Sequence, residues 1–204
     1  MKHLLSGNEA IARGAYEYGV HVASAYPGTP SSEILKNIAQ YDEIYAEWAT
    51  NEKVAMEVAI GASIGGGRAL AAMKSAGANV AVDPLVAFTH TGVNGGMVMV
   101  ICGDPGMASS STEQDDRYFA KLSRTPILGP ADSQEAKDFV GLALELSERF
   151  DIPFILHSTT GLSHSKTEVG FKERQEITPK GFERNIGKYS LLPAFARKLH
   201  TWLL

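Results

Sequence analysis

Short apolar runs alternate with amphipathic stretches along most of this chain, and that alternation constrains the fold more than any other feature of the sequence. Strands are predicted at residues 21–26, 44–46, 69–73, 97–102, 127–128 and 153–157, and helices at residues 7–19, from about 31, 51–64, 79–89 and 133–149. Strands that alternate with helices favour a parallel sheet covered on both faces. We therefore predict an α/β fold of three layers, with a mainly parallel six-stranded sheet and helices on both faces.

The sequence changes character at about residue 163, where charged residues become frequent and Pro179 and Gly181 interrupt any regular pattern. We expect an extended connector there, followed by the start of another helix over residues 191–204. The chain is therefore divided into a domain at residues 1–162 and a connector with the start of a following helix at residues 163–204.

Composition narrows the class of protein. The chain has 204 residues, 44% hydrophobic and 21% charged, so one core of ordinary size can be buried. A net charge of −4 gives no sign of nucleic-acid binding, and no stretch resembles a membrane span or a signal peptide. The single cysteine, Cys102, cannot form an internal disulfide or hold an iron–sulfur cluster alone. We expect a cytoplasmic protein that binds neither nucleic acid nor membrane.

Two segments after predicted strands carry polar groups at helix starts. In residues 24–33, two prolines fix a turn that presents Thr29, Ser31 and Ser32 before a helix, where they would suit a carboxylate or phosphate. A helix cap after a proline turn explains the same pattern. Glu52 opens a helix that is apolar almost all round, where the helix dipole favours its charge and desolvation opposes it. A first-turn glutamate that only serves the dipole remains the alternative.

Two further loops are candidates for binding. In residues 73–79, Gly77 lets a backbone approach a ligand closely, and Lys74 either binds an anion or is solvated. Residues 102–117 form a long polar loop, which is either functional or an ordinary surface loop. The histidines lack metal-ligand spacing, and the Gly103-Asp104 pair lacks the asparagine-rich partner motif of a magnesium site. We therefore predict no metal ligands in this chain.

In this order, the four segments resemble one family, the thiamine-diphosphate-dependent 2-oxoacid:ferredoxin oxidoreductases. The motifs are Tyr26-Pro-Gly-Thr-Pro-Ser-Ser-Glu33, Glu47-Trp-Ala-Thr-Asn-Glu52-Lys-Val-Ala, Met73-Lys-Ser-Ala-Gly-Ala-Asn79 and Asp104-Pro-Gly-Met-Ala-Ser-Ser-Ser-Thr-Glu-Gln-Asp-Asp-Arg117. Gly28, the last loop and the tail Pro179-Lys-Gly-Phe-Glu183 are similar to the indolepyruvate (aryl-pyruvate) branch. Each motif alone is weak, but four in register are specific.

The resemblance implies a fold, an activity and a set of site residues. The fold is that of the aminopyrimidine-binding (Pyr) domain, and the activity is oxidative decarboxylation of a 2-oxoacid to acyl-CoA with electrons passed to ferredoxin. Glu52 is implied to be catalytic, through a hydrogen bond to N1′ of the cofactor's aminopyrimidine. The residues implied to bind substrate are Thr29, Pro30 and Ser31, and those implied to bind cofactor are Glu52, Tyr26, Pro27, Lys74, Gly77 and Asn79.

The resemblance also implies partners. Mg²⁺ and the diphosphate belong to a diphosphate-binding (PP) domain whose motif this chain lacks, and iron–sulfur clusters need Cys-x-x-Cys runs, which are also absent. We expect a PP-domain chain or a missing C-terminal region, a beta subunit, ferredoxin, CoA and a 2-oxoacid as partners, and a homodimer. The chain is then a fragment, a split gene product or a remnant. The alternatives are a stand-alone Pyr-like interaction module, and the Pyr subunit of another split thiamine-diphosphate enzyme.

Overall fold

The computed structural model describes residues 2–204, and a parallel sheet lies at its centre. The strands are β1 (Lys2–Ser6), β2 (Val22–Ala25), β3 (Tyr45–Trp48), β4 (Ala69–Lys74), β5 (Met97–Gly103), β6 (Ile127–Leu128), β7 (Phe154–Thr159) and β8 (Lys166–Gly170). Six of them form one sheet in the order β3-β2-β4-β5-β7-β6, and every neighbouring pair is parallel. The predicted six-stranded parallel sheet is therefore confirmed.

Helices cover both faces of this sheet. They are α1 (Gly7–Glu17), α2 (Ser32–Ile38), α3 (Glu52–Ile64), α4 (Ser75–Thr91), α5 (Arg117–Ser123), α6 (Ser133–Phe150), α7 (Thr160–His164), α8 (Ile186–Tyr189) and α9 (Pro193–Leu203). Buried side chains of α1, α2 and α6 pack on one face, and those of α3, α4 and α5 pack on the other. Strand β5 is buried along its whole length and contributes alternate residues to both cores, which explains its unbroken apolar sequence.

Local caps fix the starts of several helices. Ser6 and Glu9 form a capping box at α1, and Asn51 accepts a hydrogen bond from the backbone of Val54 at the start of α3. Helix α4 was predicted from residue 79, but it begins at Ser75, directly after β4. The prediction was wrong at this end because glycine lowers helix propensity locally, whereas packing against α3 holds the first turn in place.

A small second sheet joins the beginning of the chain to the segment that follows α7. Strands β1 and β8 pair antiparallel, with Leu4 opposite Glu168. The sequence predicted neither strand. Each is short, only partly buried and stabilised by a partner far along the chain, so its own residues carry little strand signal.

The segment that follows β8, residues 171–188, runs under the amino edge of the main sheet, and we call it the strap. It contacts in turn the residues that precede the sheet's central strands. Its hydrogen bonds are Gln175 N to Glu17 O (2.7 Å), His21 Nε2 with Ile177 O (2.8 Å), Lys180 N to Gly66 O (3.0 Å), Asn94 Nδ2 to Gly181 O (2.7 Å) and Lys188 Nζ to Asp151 Oδ1 (2.7 Å). The segment predicted as an extended connector is thus bound to the domain over residues 171–188, while the division at residue 162, which lies inside α7, stays a prediction.

A buried ion pair anchors the beginning of the strap. Lys137 Nζ lies 2.6 Å from Glu17 Oε2, and the two side chains are 0% and 1% exposed. The other oxygen of Glu17 accepts hydrogen bonds from Arg13 Nε at 2.8 Å and from the backbone N–H of Lys172 at 2.7 Å. One carboxylate therefore ties α1, α6 and the strap together. Among residues 2–204, no helix is both long enough and apolar enough to span a membrane.

Candidate active site

The carboxyl edge of the sheet collects the segments predicted to carry function. Strands β2, β4 and β5 are adjacent and parallel, so the loops that follow Ala25, Lys74 and Gly103 leave from the same edge. The start of α3 follows β3, which pairs with β2, and reaches that edge as well. The structure therefore brings residues 26–32, Glu52, residues 74–79 and residues 104–117 to one side of the molecule, as the alternating pattern predicts.

The turn at residues 28–32 is held mainly by its own hydrogen bonds. The hydroxyl of Ser31 donates to Gly28 O at 2.8 Å, and the Gly28 N–H donates to Ser32 Oγ at 2.8 Å. Pro30, which follows a cis peptide bond, and Ser31 are buried, whereas Thr29 is exposed. Thr29 is thus the residue of this turn that faces the edge. Pro30 and Ser31 support the turn from within, and their contact with a substrate stays a prediction.

Tyr26 and Pro27 stand exposed at the mouth of the same turn, and Lys74 lies behind it. A Cβ built on Gly28 would lie 3.1 Å from the Cβ of Lys74, so the turn and β4 approach closely. Lys74 Nζ donates to the carbonyl of Ser109 at 3.2 Å. The half-buried lysine therefore bridges the turn and the long loop after β5.

Glu52 is the first residue of α3, and its carboxylate packs against the backbone of α4. A Cβ built on Gly77 would lie 2.5 Å from both Cγ and Cδ of Glu52, which is too close for any side chain larger than hydrogen. The carboxylate is half-buried and sits in the first turn of its helix, where the backbone N–H groups favour a negative charge. The geometry thus presents one carboxylate, backed by glycine, at the carboxyl edge.

Asp104 organises the long loop after β5. Its Oδ1 accepts a hydrogen bond from Thr160 Oγ1 at 2.7 Å, and its Oδ2 accepts one from the Ser109 N–H at 2.7 Å. The hydrogen bond from Thr160 has the largest effect and that from Ser109 the next largest, and they hold the pKa of Asp104 well below its usual range. Because both oxygens are used within the protein, Asp104 acts as a structural anion for the loop.

Two other loop residues fasten this loop to α4, and the sequence did not single them out. Gln114 Nε2 donates to Ser75 O at 3.0 Å, and its Oε1 accepts from Asn79 Nδ2 at 2.9 Å. The hydroxyl of Ser75 donates to Asp116 Oδ1, and the other oxygen of this buried carboxylate lies 3.3 Å from His157 Nε2. Asn79 is thus engaged in holding the loop. The acidic and amide residues before Arg117 form a visible cluster in the sequence, but the sequence does not show which of them are buried.

Among residues 2–204 there is no group of three or more histidine, cysteine, aspartate or glutamate side chains arranged to hold a metal ion. What the carboxyl edge offers is a half-buried carboxylate, a hydroxyl and a half-buried lysine, held on the sheet. These groups are Glu52, Thr29 and Lys74.

A family model described as "Pyruvate flavodoxin/ferredoxin oxidoreductase, thiamine diP-bdg" matches residues 13–195. The chain belongs to this family. The resemblance of the four motifs is confirmed, and the carboxyl edge is the candidate site of a thiamine-diphosphate-binding domain. The residues present fit this cofactor, because a carboxylate backed closely by Gly77 is a suitable partner for a nitrogen of a flat ring that approaches the edge.

Curated relatives agree with this family. The chain is 47% identical over 212 residues to the indolepyruvate oxidoreductase subunit IorA of Archaeoglobus fulgidus, covering 100% of this chain and 34% of the relative. It is 45% identical to the subunit of the same name of Pyrococcus horikoshii, with 100% and 33% covered. The 2-oxoglutarate synthase subunit KorA of Methanothermobacter marburgensis is 28% identical, with 86% and 49% covered. The chain thus spans about a third of the length of the two indolepyruvate oxidoreductase relatives.

A solved oxidoreductase structure shares the fold. The 2-oxoglutarate:ferredoxin oxidoreductase from Magnetococcus marinus, with 2-oxoglutarate, coenzyme A and succinyl-CoA bound, superposes with a TM-score of 0.75 at 21% identity. The match covers 88% of this chain and 34% of that chain. At this identity the likeness shows the fold alone.

Proposed function

We propose that this chain is the Pyr-domain part of an indolepyruvate (aryl-pyruvate) ferredoxin oxidoreductase. The assembly would decarboxylate a 2-oxoacid oxidatively, form the acyl-CoA and pass electrons to ferredoxin. The observation that carries the proposal is the placement of Glu52, whose carboxylate opens α3 at the carboxyl edge and is backed by Gly77. Near-full coverage of the chain by relatives named indolepyruvate oxidoreductase supports the choice of substrate class.

In this proposal Glu52 binds N1′ of the aminopyrimidine and holds or releases the proton at that nitrogen. Its half-buried position strengthens such a hydrogen bond relative to water, and the start of α3 stabilises the carboxylate when it is ionised. Thiamine diphosphate, when bound, supplies the electron sink for decarboxylation. Because Gly77 packs against the Glu52 carboxylate, it fixes the direction in which the carboxylate meets the aminopyrimidine ring.

Thr29 is the proposed contact for the substrate carboxylate. It is exposed on a turn whose neighbouring residues are locked by hydrogen bonds, so its hydroxyl is presented at little entropic cost. Lys74, between this turn and the loop after β5, adds a positive charge that favours an anionic substrate. We propose that Tyr26 and Pro27 line the cofactor, and that Gly77 and Asn79 shape its wall.

The remaining components are proposed to come from outside this chain. The single cysteine, Cys102, is fully buried, and burial raises the pKa of its thiol to about 12, so it does not offer a thiolate to a cluster. We infer that a PP domain holds Mg²⁺ and the diphosphate, and that iron–sulfur clusters, a beta subunit, CoA and ferredoxin complete the reaction. We also propose a domain at residues 1–162, a homodimer and a cytoplasmic location.

The test is turnover by the assembly that contains this chain. Purified complex should reduce ferredoxin when supplied with an aryl-pyruvate, CoA and thiamine diphosphate, and should release CO₂ in proportion. Omission of CoA or thiamine diphosphate is the control. A complex that binds the cofactor but turns over no 2-oxoacid would support a non-catalytic interaction module instead.

A further inference from the structure

Asn8, near the start of α1, lies directly under the turn that presents Thr29. The side chain is 0% exposed. Its Nδ2 donates to the carbonyl oxygen of Pro30 at 2.8 Å and lies 3.3 Å from Glu33 Oε2. Its Oδ1 is buried and has no hydrogen-bond partner among the residues that the structure describes.

An amide in this position is expensive for the fold. A buried polar atom without a partner costs free energy, and an apolar residue of the same shape would avoid that cost. Leucine branches at Cγ as asparagine does, although its side chain is larger, and the surrounding core of α1 is apolar. The amide at residue 8 is therefore best explained by what its N–H groups do, which is to hold the Pro30 carbonyl.

The hydrogen bond from Asn8 to Pro30 connects the turn to another element of the domain, which the turn's own hydrogen bonds do not do. The hydrogen bonds of Gly28, Ser31 and Ser32 close the turn internally, but they do not set its height above the sheet. Asn8 belongs to a different element, α1, which packs extensively on α2 and α6. It therefore ties the turn to the rigid part of the domain, one residue after Thr29.

We propose that Asn8 is a positioning residue for 2-oxoacid binding, acting through the Pro30 carbonyl on the place of Thr29. The inference rests on the proposed function, because it takes Thr29 as the contact for the substrate carboxylate. The groups that face the Asn8 amide are the Glu33 carboxylate from α2 and, behind it, His164, whose Nδ1 lies 3.6 Å from Glu33 Oε2.

Two variants of the complete assembly test this role. Asn8→Leu keeps the branch at Cγ, although leucine is larger, and removes the donor, so KM for an aryl-pyruvate should rise about tenfold while kcat changes little. Asn8→Asp keeps the shape and donates to Pro30 only when its carboxyl is protonated. Its KM should therefore approach the wild-type value at low pH and rise with pH, because the ionised form cannot donate and is repelled by Glu33. Asn37→Leu removes an amide that bonds only the Glu33 carbonyl and Gln40, and serves as the control.

Readouts other than turnover separate this role from a general loss of structure. Hydrogen exchange of the backbone N–H groups at residues 28–33 should speed up in Asn8→Leu and not in Asn37→Leu. Exchange of the C2 proton of bound thiamine, which depends on Glu52, should stay within about twofold of wild type in both. If Asn8→Leu does not fold, the pH dependence of KM in Asn8→Asp carries the test.

The outcomes are distinct. A raised KM with preserved C2 exchange supports the proposal. An unchanged KM in both Asn8 variants, or a fall in kcat and C2 exchange without a rise in KM, overturns it. If the wild-type assembly turns over no aryl-pyruvate, the proposed function fails whatever the Asn8 variants do, so the two failures cannot be confused.

Discussion

Gly77 of α4 lies so close to Glu52 of α3 that a Cβ on residue 77 would be 2.5 Å from two carbon atoms of the glutamate side chain. The backbone of one helix is thus the back wall for the carboxylate of the other. A carboxylate that must meet a ring nitrogen has to be held within a fraction of an ångström, and a backbone holds it better than a mobile side chain would.

The first prediction concerns this contact. In Gly77→Ala the added methyl group displaces the Glu52 carboxylate, and we expect kcat of the complete assembly to fall about ten- to a hundredfold. Gly61→Ala is the matched control, because a Cβ at that exposed position of α3 meets no atom within 4 Å. Gly61→Ala should keep full activity. Normal turnover in Gly77→Ala would show that the position of the Glu52 carboxylate does not limit catalysis.

The second prediction concerns the charge of Glu52. Glu52→Gln keeps the volume but removes the group that exchanges a proton, so C2 proton exchange of bound thiamine should slow by about 10²- to 10⁴-fold. Glu57→Gln, an exposed position of the same helix, should leave the rate unchanged. Proton exchange can be followed by NMR in deuterated buffer. Wild-type exchange in Glu52→Gln would place the activating carboxylate elsewhere, with Glu47 the next residue to test.

The third prediction compares a buried ion pair with an exposed one. Glu17→Gln removes the fully buried counter-charge of Lys137 and leaves its ammonium only the partly exposed Asp138 carboxylate at 3.0 Å, so the free energy of unfolding should drop by about 3 kcal/mol. Glu168→Gln breaks a pair with Lys2 whose side chains are 67% and 72% exposed, and should cost at most about 1 kcal/mol. Urea denaturation measures both. Equal losses in the two variants would contradict the role given to Glu17.

The fourth prediction concerns Asp138, which contacts the strap. Burial alone would raise its pKa, but hydrogen bonds from Lys137, Gln134 and Lys172 outweigh this and lower the pKa from 3.8 to about 2. Because the folded-state pKa is depressed, the stabilisation is present above about pH 4 and is lost as pH falls toward about 2.

The variant Asp138→Asn isolates this effect. Its unfolding free energy should be lower than that of the wild type by about 1 kcal/mol at about pH 6, a figure reduced for solvent screening of a side chain that is 36% exposed. The difference should shrink at about pH 3. Urea unfolding at several pH values gives the comparison, and a gap that widens on acidification would have the wrong sign for this explanation.

Features set by neighbours along the chain could be predicted from the sequence. The six strands of the main sheet follow from apolar runs bounded by turns, and the start of α3 follows from Asn51 as its cap. The early start of α4 could not be predicted in this way, because its first turn contains Gly77 and is held by Glu52 and Gln114 from other elements. Contacts of this kind have no local signature.

The residues of the candidate site also divide into those that the sequence predicts and those that depend on distant contacts. The exposed Thr29 and the half-buried Glu52 were found because motifs name them. The residues that support them are polar groups whose partners lie on other elements, Asn8 and Asp116 being buried and Gln114 half-buried, and polarity in the sequence does not reveal burial. The pairing of β1 with β8 was missed for the same reason.

The bonds that attach the strap to the domain lie away from the residues proposed to carry the chemistry. Most of its bonds to the amino edge involve backbone atoms, such as Gly66 O and Glu17 O, and they lie at the opposite end of the strands from Thr29 and Glu52. Substitutions at the carboxyl edge therefore need not disturb the attachment of the strap to the domain. Backbone bonds also tolerate side-chain changes. A lineage can in this way vary the side chains at the carboxyl edge while keeping the same attachment of the strap to the domain.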